Sequence, residues 1–177
     1  MYRNRNGKLQ VFLGHPGGPY FANKDDESWG IPKGGIKPGE DLLTAACREF
    51  QEETGIKPKG PYRALGSIMQ ASGKVVHAWA FEGDADDTQP PKSNLTTIEW
   101  PPRSGRTLQA PELDRAVFFD MDTARRKLRP AQTPWLARLV AALVGIREQR
   151  GACSGCEHPR EDRSNSDCLN EGKGRRD

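Results

Sequence analysis

Four ionisable residues in one short run, Arg48, Glu49, Glu52 and Glu53 in REFQEET, have types and spacing that suit chemistry. On a helix, positions 49, 52 and 53 stand at i, i+3 and i+4, so three carboxylates project from one face. Like charges at that spacing repel each other and weaken an isolated helix. A positive group must compensate them, and a hard divalent cation with oxygen ligands suits three carboxylates best. Such a cation neutralises charge on phosphate and lowers the pKa of a bound water, so the chemistry it points to is metal-assisted attack on phosphorus.

The elements that must position these groups follow from pattern. A glycine-rich turn, Ile31-Pro32-Lys33-Gly34-Gly35, leads into the helix. Asp41 or Gly39 can cap it, Leu42, Leu43, Ala46 and Phe50 supply its apolar side, and Gly55 stops it. Upstream, Lys8 to Gly14 alternates as a strand with Leu9, Val11 and Leu13 on one face, and His15 to Trp29 reads as a loop. Downstream, Arg63 to Gln70 and Lys74 to Glu82 read as a hairpin, with Val75, His77 and Trp79 on the face opposite Val76, Ala78 and Ala80. Asp84 to Thr97 is polar loop, Ile98 to Trp100 a short strand, and Pro101 to Arg106 another loop. Arg115 to Asp120 is a strand, Asp122 caps a short helix over Thr123 to Leu128, and Thr133-Pro134 opens a longer helix. Strand, helix, hairpin, strand, helices is the order of an α/β chain with a mixed sheet between helices.

Composition narrows the classes. With 177 residues, 34% hydrophobic and a mean hydropathy of −0.80, one domain with a polar tail is expected. The net charge of +3 is too small to argue for nucleic-acid binding. No apolar run reaches the roughly 18 residues of a membrane span, and the N-terminus has no secretory core. A cytoplasmic protein is the expectation. Cys47, among Ala45, Ala46 and Phe50, reads as a small buried thiol.

Written as G-x5-E-x7-R-E-U-x-E-E-x-G-U, with U bulky and apolar, the stretch from Gly34 to Ile56 meets every fixed position. The matching residues are Gly34, Glu40, Arg48, Glu49, Phe50, Glu52, Glu53, Gly55 and Ile56, and only Phe50 stands where an aliphatic residue is commoner. This resembles the box of the Nudix hydrolases. The resemblance covers roughly residues 1 to 145 and implies an α/β/α sandwich with a mixed sheet over a domain spanning residues 1–149. It also implies an apolar opening strand, of which Met1-Tyr2-Arg3 would be the last residues, so the first strand is expected to be truncated.

The same resemblance implies a Mg²⁺- or Mn²⁺-dependent pyrophosphohydrolase in which water attacks one phosphorus of a nucleoside diphosphate linked to a further group X. Glu52 and Glu53 would be metal ligands, and Glu49 a ligand or general base. Arg48 would hold a glutamate in place. Glu40 would be structural, and Gly34 and Gly35 would let the backbone approach the metal site. A base outside the box is Glu112 in APELDR, with Glu99 next. Lys33 is a candidate phosphate contact, and Arg103 and Arg106 could grip the distal end of a long polyphosphate. Trp29, Trp79 and Trp100 could stack a base, the last two fitting core or rim better, while His77 reads as a buried histidine.

The PKG turn and KVVHAWAFEGD look similar to small diadenosine-polyphosphate hydrolases of that family, although Ser72 stands where those enzymes often carry tyrosine. An NTP or a dinucleoside polyphosphate is therefore the expected substrate, with hydrolysis of oxidised or non-standard NTPs as the alternative. A purely nucleotide-binding domain is a third reading; nucleic acid enters only as capped RNA ends, and no membrane partner is expected. The polar segment 150–177 reads as a disordered tail, in which Cys153, Cys156, His158 and Cys168 offer ligand types for one zinc.

Overall fold

The computed structural model describes residues 1–70 and 72–151. In chain order its elements are β1 (Tyr2–Arg5), β2 (Lys8–Pro16), α1 (Leu42–Thr54), β3 (Arg63–Met69), β4 (Val75–Ala80), β5 (Leu95–Glu99), β6 (Thr107–Pro111), β7 (Leu113–Asp120), α2 (Met121–Lys127), a 3-10 turn (Pro130–Gln132) and α3 (Pro134–Gly151). Asn6 and Gly7, at φ 53° and 74°, close the β1–β2 turn, as a two-residue hairpin requires.

β2 is the central strand, antiparallel to β1 on one edge and to β7 on the other. That position explains its composition, because both of its faces are covered. Val11 and Leu13 pack with Trp29, Leu128, Leu136 and Leu139 on the α3 side. Phe12 packs with Phe50 of α1, Phe81 and Phe118 on the other. Phe50, the unusual member of the box, is 6% exposed and sets its ring edge-on to Phe81 at 5.1 Å. The β3–β4 hairpin joins this layer through a parallel bridge, Tyr2↔Glu82. Helices on both sides of strands of both orientations make the expected α/β/α arrangement.

Several expectations are corrected. The loop over Asp84 to Thr97 and the strand over Ile98 to Trp100 give way to a hairpin of β5 and β6, in register from Leu95↔Pro111 to Glu99↔Thr107. β5 is largely exposed and β6 alternates only Leu108 and Ala110, too short a pattern to mark either strand. β2 runs on to Pro16, which places His15 in a strand and not in a loop. Asp120, not Asp122, caps α2, accepting the amides of Asp122 and Thr123. Trp29 is 3% exposed, donates Nε1 to Asp25 and lies edge-on to Phe119, so it is core and not a base platform. His77 is exposed and stacks beside Trp79, because that face of β4 is left open. Cys47 is half-buried rather than enclosed. No described helix is long and apolar enough to cross a membrane. Residues 152–177, including the candidate zinc ligands Cys153, Cys156, His158 and Cys168, lie outside the described residues.

Candidate active site

α1 begins where Asp41 accepts the amides of Leu43 and Thr44, and ends at Gly55, whose φ of 74° and N–H bond to the Gln51 carbonyl close the last turn. Between these caps the box residues occupy one face. Arg48 is their hub. Its Nε and Nη2 donate to the two oxygens of Glu40, both at 2.8 Å, a bidentate grip. Its Nη1 donates to Glu49 at 2.8 Å and Glu52 at 3.1 Å, and Nη2 also reaches the Gly35 carbonyl at 2.9 Å. One guanidinium thus compensates three carboxylates and ties the glycine turn to the helix. Arg48 in turn holds the Glu40 carboxyl down to about 2, helped by the Lys37 amide, and its own proton is held more tightly than usual.

Glu53 differs from the rest. It is 8% exposed, and its Oε2 accepts the Lys33 amide at 2.9 Å. Burial pushes its carboxyl up to about 7, the Lys33 amide and charge oppose that, and the negative charges of Glu112 and Glu49 add to it. Glu112 thus lies within electrostatic reach of Glu53. Backbone bonds fix it there: Asn94 donates to the Glu52 carbonyl at 3.2 Å and accepts the Glu112 amide at 2.9 Å, while Gly17 donates to the Glu112 carbonyl at 3.1 Å. Both Asn94 bonds are made by its backbone, so they left no signal in the residue type for sequence reasoning to find.

The raised carboxyl of Glu53 has a checkable consequence for the metal-free protein. Between 4.5, its ordinary value, and about 7, the native state holds a proton that the unfolded chain releases. This contribution to stability is complete below 4.5 and is lost as pH rises through 7. Melts in EDTA should therefore show Tm falling between pH 5 and pH 8, with a shallower fall in Glu53→Gln. Equal slopes would contradict the assignment.

Gly34 provides the close approach. A Cβ there would sit 1.8 Å from Glu49 Oε2, with the carboxyl carbon at 1.9 Å. Gly35 does not share this role, since a Cβ at that position meets nothing within 4 Å. Gly34→Ala should consequently lower activity at least about 10-fold, the scale for displacing a group that orients a ligand, with Gly35→Ala close to wild type in the same assay. Equal losses in the two variants would remove the steric argument.

Other candidates fall farther out. Lys33 is exposed at the rim and contacts Glu53 through its backbone, leaving its ammonium to the solvent side. Glu99 accepts the Gly105 amide at 2.7 Å and secures the tip of the β5–β6 hairpin, so it is a turn residue rather than a base. Arg103 and Arg106 are exposed on that tip. The five residues of β6 separate Arg106 from Glu112, roughly 20 Å over six steps at the usual rise, so neither arginine touches the box. Trp100 is half-buried beside the same tip and Trp79 is half-buried on β4.

Among the described residues no three acidic side chains already converge as a metal cage. Glu49 and Glu52 turn to Arg48, and Glu53 to the Lys33 amide. The donor set nevertheless fits a divalent cation: its donors are carboxylate oxygens, and Glu49 and Glu112 stand close enough to Glu53 for their charges to act on it.

The chain matches the family model described as NUDIX domain over residues 2–139. It is 28% identical over 163 residues to the RNA pyrophosphohydrolase of Rhodospirillum rubrum, spanning 80% of this chain and 88% of the relative. A shorter match, 66% identical over 59 residues, links it to the RNA pyrophosphohydrolase of Rhizobium meliloti, covering 32% of this chain and 34% of that one. Against several other curated relatives the chain spans only about a third of their length, 31% and 35% in two of them. A solved structure of the C. elegans Ap4A hydrolase in a binary complex superposes with a TM-score of 0.52 at 23% identity, covering 81% of this chain and 93% of that chain, which speaks for the fold alone. A family model spanning most of the chain, laid over an intact glycine turn and acid helix, identifies the protein as a member of the Nudix family.

Proposed function

We propose that the protein is a divalent-metal-dependent pyrophosphohydrolase that cleaves a nucleoside diphosphate linked to X, with an NTP or a dinucleoside polyphosphate as substrate. The observation that carries this reading is the Arg48-centred acid cluster, in which one guanidinium holds both Glu49 and Glu52 on the helix that carries the buried Glu53. The carboxylates of Glu49, Glu52 and Glu53 would hold Mg²⁺ or Mn²⁺, which when bound supplies charge neutralisation at phosphorus and a more acidic water. Glu112, whose backbone is tethered through Asn94 to the end of α1, would take the proton of the attacking water. Lys33 at the rim would meet the phosphates. Arg103 and Arg106, at the far hairpin tip, would meet only the distal end of a long substrate.

A second reading of the substrate, an RNA 5′ end, is supported by the likeness to the R. rubrum RNA pyrophosphohydrolase over 80% of this chain and 88% of that relative. Hydrolysis of oxidised or non-standard NTPs remains the alternative within the same chemistry. Incubation with Mg²⁺ and a panel of NTPs, oxidised NTPs, dinucleoside polyphosphates, sugar nucleotides and 5′-triphosphorylated or capped RNA, with products resolved by chromatography, tests all three. Turnover of one class names the substrate; binding without turnover of any would replace the enzyme by a nucleotide-binding module.

A further inference from the structure

Gln132 ends the 3-10 turn ahead of α3, and it is buried at 1% exposure. Its Oε1 accepts the Ile31 amide at 3.0 Å, a bond between residues 101 positions apart. The other end of the carboxamide, Nε2, is buried without a hydrogen-bond partner. An unpartnered buried donor destabilises the fold, and a methionine of similar volume would fill the space without one. What the carboxamide supplies beyond volume is therefore its acceptor. The Ile31 N–H decides which way it faces, since a flipped amide would set donor against donor. Gly30 leaves room for it: a Cβ there would lie 3.3 Å from Gln132 Oε1.

The bonded residue opens the turn that meets the acid helix. Ahead of Ile31 the backbone is held by its own bonds. Gly30 and Gly14 each donate to the other's carbonyl, Trp29 donates to the Lys127 carbonyl, and Arg129 donates to that of Trp29. Beyond Ile31, Pro32 has no N–H to offer. Ile31 and Lys33 are thus the two amide donors of the Ile31-Pro32-Lys33 run, and a side-chain oxygen takes each: Gln132 ahead of α3, Glu53 on α1. Gly34 follows at once, where a Cβ would strike Glu49 Oε2 at 1.8 Å.

We propose that Gln132 is a positioning residue for the metal site, whose Oε1 sets the turn so that the Lys33 amide reaches Glu53 and Gly34 admits Glu49. It acts through two residues of backbone. The proposal rests on the reading above in which Glu49 and Glu53 hold the cation. Without the acceptor, the Ile31 amide loses its partner and the run is fixed at one end only, so Lys33 loses its bearing on Glu53.

The test uses the full chain without substrate. Gln132→Met keeps the volume and removes the acceptor, whereas Gln132→Glu keeps an oxygen for the Ile31 amide. In Gln132→Met, hydrogen exchange at the Lys33 amide should speed up at least about 10-fold. The Mn²⁺ dissociation constant from calorimetry should rise about 10–100-fold, the scale for losing a group that orients ligands. Gln132→Glu should leave both near wild type. Leu139→Ala is the control for destabilisation, since it loosens α3 in the core: its Tm should fall while the Lys33 amide and Mn²⁺ affinity hold. An unchanged Lys33 amide or Mn²⁺ affinity in Gln132→Met would overturn the proposal, as would equal changes in all three variants, which would reduce Gln132 to packing. A wild-type chain that binds no Mn²⁺ would overturn the metal-site reading itself; the Lys33 amide, which needs no metal, then shows alone whether Gln132 sets the turn.

Discussion

Glu52→Gln should lower kcat/KM roughly 10²–10³-fold, the range seen when one group that stabilises transition-state charge is removed. Glutamine keeps the length and one oxygen of the side chain but carries no charge, so it cannot hold a hard cation as a carboxylate does. Glu52 is the most open of the box acids that Arg48 contacts, at 37% side-chain exposure against 16% for Glu49 and 13% for Glu40. Substitution there disturbs no packing, and stability should change by no more than the ~0.5 kcal/mol of an ordinary surface change. Two comparisons separate the roles. In Glu52→Gln the Mg²⁺ concentration for half-maximal rate should rise. In Glu112→Gln it should stay put while kcat falls and the acidic limb of the pH–rate profile disappears, because a general base is lost without a ligand. Wild-type turnover in Glu52→Gln would mean that the cation is held elsewhere; a shifted Mg²⁺ optimum in Glu112→Gln would make Glu112 a ligand.

The acid helix was legible in the sequence because its information is local. Spacing along one helix decides which side chains share a face, and Asp41 and Gly55 mark its ends with their own chemistry. Lys33 and Gly34 were legible for the same reason, lying one short turn upstream. Glu112 and Glu99 were both offered as a base from their places beside later strands, and what sets their different positions is long-range: the Asn94 backbone joins the end of α1 to the start of β7. The β5–β6 hairpin escaped because β5 shows no apolar alternation and β6 only Leu108 and Ala110; cross-strand pairing such as Gln109 to Thr97 at 2.7 Å holds it. His15 escaped for a related reason. Its ring is fully buried between the Asp114 carboxylate at 2.7 Å and the Lys24 carbonyl at 2.8 Å, partners 99 and 9 residues away, while its flanking HPGGP run carries the signals of a loop.

Arg48→Lys should lower activity about 10–100-fold, the usual cost of losing a group that orients metal ligands, although the charge is conserved. The guanidinium makes five hydrogen bonds in one plane, two to Glu40, one each to Glu49 and Glu52, and one to the Gly35 carbonyl. An ammonium has three donors and no fork, so it cannot grip Glu40 bidentately and still reach the other two acids. Glu49 and Glu52 would then splay under mutual repulsion. The variant should need more Mg²⁺ for half-maximal rate and regain much of its rate at saturating Mg²⁺, as the cation takes over the compensation. The acid side adds a second readout. Glu40, held at about 2, contributes stability that is present above its ordinary 4.5 and lost as pH falls through 2. In Arg48→Lys that loss should begin nearer 4.5, visible as an earlier drop in Tm on acidification. A purely structural Arg48 would shift the melt without moving the Mg²⁺ requirement, and that outcome would remove it from the site.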